Sequence, residues 1–316
     1  MEPMEKRIVA TYDALHAMPE VGFAEFKTSA WLADKIKAAG FAVTTGVGGT
    51  GIVAVLKGKE PGPVVALRAD MDALAHTVDG KDICVHSCGH DSHCAMVLTA
   101  AEEIAKTGIK RGTLKIFFQP AEEKLFGATR MIEAGALEDV DVMIGIHLRP
   151  GQEAKTGQAT PALYHGSSYI MEATITGRTA HGARPHLGIN AIDAAAAAVN
   201  AVNAIHINPV VPWSCKVTKL QAGGATLNAI PDKAEMALDI RAQQNDAMKS
   251  LLEQAEHAIK AGAATVGASA ETVVKGGVPG AEYHPEITAL AREAICAVLG
   301  EQGLLDPIVT PGGEDF

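Results

Sequence analysis

Long apolar runs are missing from this 316-residue sequence. The longest candidate, AIDAAAAAVNAVNAI, is broken by Asp193, Asn200 and Asn203 and falls short of the roughly 20 apolar residues that cross a bilayer. A basic cluster is missing too. With 27 Lys and Arg against 37 Asp and Glu, the formal net charge is −10, which repels phosphate backbones and anionic lipid. The expected partners therefore include no nucleic acid and no membrane. The opening stretch MEPMEKRIVATYDAL lacks the apolar core and small-residue cleavage site of a signal peptide, so the expectation is a cytoplasmic protein. Cysteine is scarce: Cys84, Cys88, Cys94, Cys215 and Cys296. An odd count, wide scatter and no secretion signal argue against a disulfide framework. Three of the five lie in or beside one histidine-rich run, HSCGHDSH, where either burial or metal and redox chemistry explains them.

The chain does have apolar residues in quantity, 47%, and a length that points to about two domains. Helical spacing runs through EKRIVATYDALHAM and EFKTSAWLADKIKAAG, the second stopped at Gly40. GIVAVLKG and PVVALRAD read as strands, CAMVLTAAEEIAKTG as a helix, TLKIFFQ as a strand, ATRMIEAGAL as a short helix and VDVMIGIHL as a strand. This alternation predicts an α/β fold with a mixed, largely parallel sheet and flanking helices. From residue 164 the pattern becomes strand, helix, strand, strand, helix, strand, the order of a ferredoxin-like α+β unit. The predicted division is 1–163 with 276–316 for the first domain and 164–275 for the inserted one.

Three of the buried-strand patterns finish in polar groups. VVALRADMD ends in Asp70 and Asp72, LKIFFQPAEE in Glu122 and Glu123, and VMIGIHL in His147. Ligands of open α/β sheets bind outside the carboxyl ends of the strands. If these strands are parallel neighbours, their ends and the SCGHDSH loop converge on one crevice. A lone strand-end histidine is ordinarily just a satisfied polar residue, and a Glu pair is ordinarily solvated surface. The coincidence of all of them points to a metal site. Thiolate, imidazole and carboxylate together suit Zn²⁺ and its borderline neighbours. Asp70, Asp72, Cys88, His90, Glu122, Glu123 and His147 exceed the needs of one tetrahedral ion, and two bridged ions use them better. A helix starting near Asp91 is expected to help a metal deprotonate Cys88. His86 and His93 are expected to be spectators, and Cys84 and Cys94 packing.

The stretches LHAMPEVGFAEFKTSA, LRADMDAL, SCGHDSHCAMVLTAA, FFQPAEE, MIGIHL and GRTAHGARPHLGINAI resemble, in order and over nearly the whole chain, the N-acyl-amino-acid amidohydrolase and hippurate hydrolase family of dinuclear metallo-exopeptidases. The resemblance implies a metal-binding α/β domain interrupted by a lid domain that often dimerises. It implies Cys88, His90, Glu123 and His147 as metal ligands, with Cys88 a bridge, and Glu122 as general base. Asp72, with Asp70 close behind, takes the role of the acid that supports metal-bound groups. His181 resembles a lid histidine that stabilises the oxyanion, across a dimer interface in some members. Asn228 and Arg241 resemble lid residues near the substrate carboxylate, a task suited to the Arg fork. The implied reaction is hydrolysis of a small-molecule N-acyl amino acid or related conjugate with two divalent ions, Zn, Mn, Co or Ni. A homodimer through the edge strands of the lid sheet is a further expectation.

The sequence departs from the family pattern in places. Ser87 stands where Ala is usual, Ala75 where Pro is usual, and Lys124, Leu125 and Phe126 replace a glycine-rich stretch, which is expected to reshape the pocket. Family members continue past TPGGEDF through a last metal-binding histidine, so a chain ending at Phe316 is expected to hold metal weakly and turn over slowly. Two other readings stay open at this point: a binding homologue impaired in turnover, and a hydrolase with Cys88 as nucleophile and His90 or His93 as base.

Overall fold

The computed structural model describes every residue except Met1, Glu2 and Pro311, so Pro311 of the TPGGEDF motif lies outside the described residues. Its contacts divide the chain into two units. One comprises the residues up to Glu153 together with Asp315 and Phe316, and the other Ala154–Glu314. This division assigns the helix Pro285–Leu299 and the strand Ile308–Thr310 to the second unit, where Ile308–Thr310 pairs in parallel with Leu163–His165. Among the described residues no helix is long and apolar enough to cross a membrane.

The first unit is built on a five-stranded mixed sheet in the order Ala42–Val47, Gly51–Lys57, Arg111–Gln119, Glu60–Asp70, Val142–Gly145. The first two pairings are antiparallel, while Glu60–Asp70 runs parallel to both of its neighbours. Period-two alternation divides Arg111–Gln119 between two cores. Ile116 and Phe118 pack with Leu32, Ile36 and Leu98 of the helices Phe26–Ala38 and His90–Thr107, while Phe117 packs with Val53, Met131 and Ala136 on the other face. Each such side chain contributes about 1.5–3 kcal/mol by burial. Because Glu60–Asp70 is parallel to both neighbours, Asp70, Gln119 and Gly145 end at one sheet edge. Gly51–Lys57 runs the other way and begins there, so Thr50 stands at that edge as well. The strand Ala42–Val47 and the hairpin Leu74–Val78 with Lys81–Val85 are additions to the elements read from the sequence.

The second unit contains the expected order: strand Ser167–Thr176, helix Ala191–Asn203, strands Trp213–Ala222 and Lys233–Ala242, helix Asn245–Ala264 and strand Ser269–Val278. Its antiparallel sheet places Lys233–Ala242 and Ser269–Val278 on either side of Ser167–Thr176, with Trp213–Ala222 at an edge. This is ferredoxin-like topology. The Ala-rich run has one buried face, Ala191, Ala194, Ala195, Ala198 and Val202. That face is small enough for the two helices to touch: a Cβ on Gly262 would come within 2.7 Å of the Ala198 Cα.

Candidate metal centre

Asp70 closes its strand fully buried. A bare carboxylate there is costly, and donors surround it. Arg68 Nη1 donates to Oδ2 at 2.8 Å, and His93 Nδ1 lies 2.6 Å from Oδ1. Burial works to raise the Asp70 pKa, but the Arg68 charge, the His93 hydrogen bond and the neighbouring His90 outweigh it and hold the carboxyl far below the usual range. Arg68 is itself buried and spreads its fork, with Nε to Gln119 Oε1 at 2.8 Å and Nη2 to Asp315 Oδ1 at 3.0 Å. Gln119 Nε2 donates to the same Asp315 oxygen at 2.6 Å. His93 is no mere spectator. Its Nε2 accepts from the Leu148 amide at 2.9 Å, so the ring ties Asp70 to the segment after His147.

Asp72, also buried, joins three groups. Its Oδ1 lies 3.1 Å from His90 Nδ1 and accepts from the Glu122 amide at 3.2 Å, and its Oδ2 accepts from the Glu123 amide at 3.1 Å. Donation of Nδ1–H to Asp72 fixes the His90 tautomer and leaves Nε2 facing the carboxylates. That Nε2 is buried and has no hydrogen-bond partner, as is Glu123 Oε1, 3.8 Å away. Glu122 Oε2 is 3.8 Å and Asp70 Oδ2 3.7 Å from the same nitrogen. Cys88 Sγ lies 3.5 Å from His147 Nε2, whose Nδ1 meets the Leu148 carbonyl at 2.5 Å. Gly89, at φ +89°, makes the turn between Cys88 and the helix that starts at His90; any Cβ there would be strained and would press on Leu148.

Sets of ligand atoms therefore gather around His90, with Cys88 and His147, with Glu122 and Glu123, and with Asp70 and His93, the atoms of each set within 4.8 Å of one another. Buried ligand atoms without a hydrogen-bond partner are costly, and a bound cation relieves them. The sulfur, nitrogen and oxygen donors fit a divalent metal of the zinc type. Without metal the cluster holds protons. Against the effect of burial, the Asp72 hydrogen bond and the charges of Asp70 and Cys88 push His90 up to about 12. Burial pushes the Glu123 carboxyl and the Cys88 thiol up as well. Cys94 is buried packing, with Sγ 3.0 Å from the Asp70 carbonyl.

The turn that carries Glu122 and Glu123 has two left-handed residues without being glycine, Ala121 at φ +52° and Leu125 at φ +56°. Leu125 sits inside the replaced glycine-rich stretch. Beside it Phe126 is exposed, and Lys124 Nζ lies 5.6 Å above the Phe23 ring.

In the second unit His181, Asn228 and Arg241 are all exposed. His181 lies in the short strand Ala180–His181, paired with Ala229–Ile230, and its Nδ1 accepts from the Ala183 amide at 3.1 Å. The Asn228 carbonyl accepts from Gly182 at 2.7 Å, so Asn228 adjoins His181. Arg241 lies eight residues beyond Lys233 on its strand, about 27 Å at 3.4 Å per residue, and pairs with Asp239 at 3.0 Å. The structure thus groups His181 with Asn228 and sets Arg241 at the other end of the strand.

A mixed α/β sheet with a sulfur, nitrogen and carboxylate cluster at its carboxyl edge defines a metal-dependent hydrolase class. The sequence pattern of Peptidase family M20/M25/M40 matches residues 66–316, and the chain belongs to that family. It is 30% identical over 328 residues to the N-acetyl-L-cysteine deacetylase of Bacillus subtilis, covering 100% of this chain and 78% of that protein. It is 36% identical over 248 residues to the hippurate hydrolase of Campylobacter jejuni, covering 74% of this chain and 64% of that one. A Bacillus subtilis structure described as a dinuclear metal binding peptidase of the same family superposes with a TM-score of 0.82 at 30% identity, covering 99% of this chain and 85% of that one.

Proposed function

We propose that the chain hydrolyses the amide bond of N-acyl amino acids or related small conjugates. The observation that carries this reading is the pair of buried, unpartnered ligand atoms, His90 Nε2 and Glu123 Oε1, beside the Glu122 carboxylate. Relatives with deacetylase and hippurate hydrolase activity support the substrate class. Cys88, His90, Glu123 and His147 would hold two divalent ions of zinc, manganese, cobalt or nickel. When bound, such ions supply Lewis acidity toward the acyl oxygen and a lowered pKa for water. The remaining work falls to side chains. Glu122 takes a proton from the attacking water and returns it to the leaving amine nitrogen. Asp72 orients His90 and the Glu122–Glu123 turn, and Asp70 anchors the cluster through Arg68 and His93. His181 donates to the developing oxyanion, and Asn228 and Arg241 bind the substrate carboxylate from different copies of the pair, since one copy sets them at opposite ends of a strand. Residues 164–275 act as the lid, pairing copies as a homodimer in the cytoplasm.

The test is a panel of N-acyl amino acids assayed with each metal, on the parent and on Glu122→Gln. The expected loss is about 10³-fold in kcat with metal content unchanged. Retained turnover removes Glu122 from its role, and a parent inert on the whole panel removes the substrate class. The Cys88–His147 contact gives a cysteine-nucleophile reading one observation of its own. That enzyme would survive chelation of metal; the proposed one is silenced by it.

A further inference from the structure

The turn that presents Glu122 and Glu123 has an unusual supply of acceptors. Three successive amides, from Ala121, Glu122 and Glu123, all end on carboxylates. Asp72 takes the last two, and Glu25 takes the first, with Ala121 N donating to its Oε1 at 2.8 Å. Glu25 comes from the N-terminal stretch EVGFAEF, nearly a hundred residues away in sequence, and is fully buried. Its other oxygen, Oε2, accepts from Thr50 Oγ1 at 2.6 Å, and the Thr50 carbonyl is in turn held by Ser29 Oγ at 2.6 Å. The Glu25 arm thus spans from the start of Gly51–Lys57 to the end of Arg111–Gln119 along the sheet edge.

The residue it grips is the strained one. Ala121 stands at φ +52°, a left-handed conformation that costs an L residue about 1–2 kcal/mol. That conformation reverses the chain after Pro120 and lets the Ala121 carbonyl start the one-turn helix Glu122–Lys124. It also turns the Ala121 amide away from the strand ladder, where it would be buried without an acceptor. Gly22 completes the fit from the same N-terminal stretch: a Cβ there would lie 2.9 Å from the Ala121 Cα and 3.1 Å from Asp72 Oδ2. Burial raises the Glu25 pKa against the pull of its Thr50 and Ala121 bonds, so a neutral side chain of the same shape is acceptable at this position.

We propose that Glu25 is a positioning residue for the hydrolysis, clamping the left-handed Ala121 so that Glu122 and Glu123 are held at the distances catalysis and metal binding need. Glu25 reaches neither substrate nor metal and acts through the Ala121 amide. The proposal rests on Glu122 and Glu123 having the roles given above, and the following test separates the two.

Three variants would be compared: Glu25→Gln keeps the reach and loses the charge, Glu25→Asp keeps the charge and loses the reach, and Glu25→Ala loses both. In the metal-free protein, hydrogen exchange at the amides of residues 121–125 is read first, since it needs neither substrate nor metal. Protection is expected to match the parent in Glu25→Gln and to drop at least tenfold in Glu25→Asp, with protection elsewhere in the sheet unchanged. In the metal-loaded protein kcat is expected to fall about 100-fold in Glu25→Asp, the effect of a displacement of about 1 Å, with KM within threefold. Glu25→Gln should stay within fivefold of the parent from pH 6 to 9. If Glu25→Ala does not fold, the Gln and Asp variants decide alone. Equal behaviour of the Gln and Asp variants, in exchange or in kcat, overturns the clamp. A parent inactive on every N-acyl amino acid, with the exchange pattern intact, would sink the substrate reading and leave the clamp standing.

Discussion

The two units treat their diagnostic polar residues in opposite ways. In the first, Asp70, Asp72, His90, His93 and Arg68 are buried, and each serves as partner to another. In the second, the main cluster is apolar, Met171, Ile175, Leu238 and Ile259 among it, with His165, Ser167 and Glu314 buried elsewhere, and the candidate residues His181, Asn228 and Arg241 are exposed. In the first unit the same hydrogen bonds satisfy buried charges and orient the candidate metal ligands, which ties site to fold. The second unit takes its main cluster from apolar burial, and its candidate residues stand on the surface.

The contrast sets the expected size of substitutions. Arg68→Met leaves Asp70 and Asp315 buried without their cation, and a cost of about 3–5 kcal/mol of folding stability is expected in denaturant titration. A loss below 1 kcal/mol would break the claim that site and fold are one network. His181→Ala should do the reverse: kcat about 10²-fold lower with the melting temperature unchanged, since the side chain is exposed. A drop in both would mean that the second unit also couples site to fold.

A smaller effect concerns protons. His90 is raised from 6.5 to about 12, so in the metal-free protein it holds its proton throughout the neutral range. Its contribution to metal-free stability is therefore fully present below pH 6.5 and is lost as pH rises toward 12. A metal must displace that proton and the proton of the Cys88 thiol, so apparent affinity should weaken about a hundredfold for each pH unit lowered, measured by competition with a chelator of known pH dependence. Affinity that does not change between pH 6 and 8 would show that His90 is not displaced by metal.

Much of this was legible in the sequence, for identifiable reasons. Apolar strands ending in Asp70, Glu122 and His147 reveal the carboxyl edge because parallel packing forces those ends together. The strand and helix order of the second unit reads directly from period-two and helical spacing. The partners that act across space were hidden. Glu25 looks like surface charge in EVGFAEF, Arg68 like a strand flank, and Asp315 lies 247 residues from the arginine it meets. A charge inside an otherwise buried strand, as in VVALRAD, was the one signal for Arg68. The role of His93 could have been read from its spacing, since i and i+3 on a helix place it on the same face as His90, with ring centroids 5.4 Å apart. The raised thiol of Cys88 was invisible because burial cannot be read from a loop sequence.

The most direct measurement is the absorption spectrum of the protein titrated with Co²⁺, on the parent and on Cys88→Ser. The expected result is a sulfur-to-cobalt charge-transfer band in the parent that is absent from the variant. A parent that binds no cobalt, or a band that survives in Cys88→Ser, would contradict a metal centre at the converging strand ends.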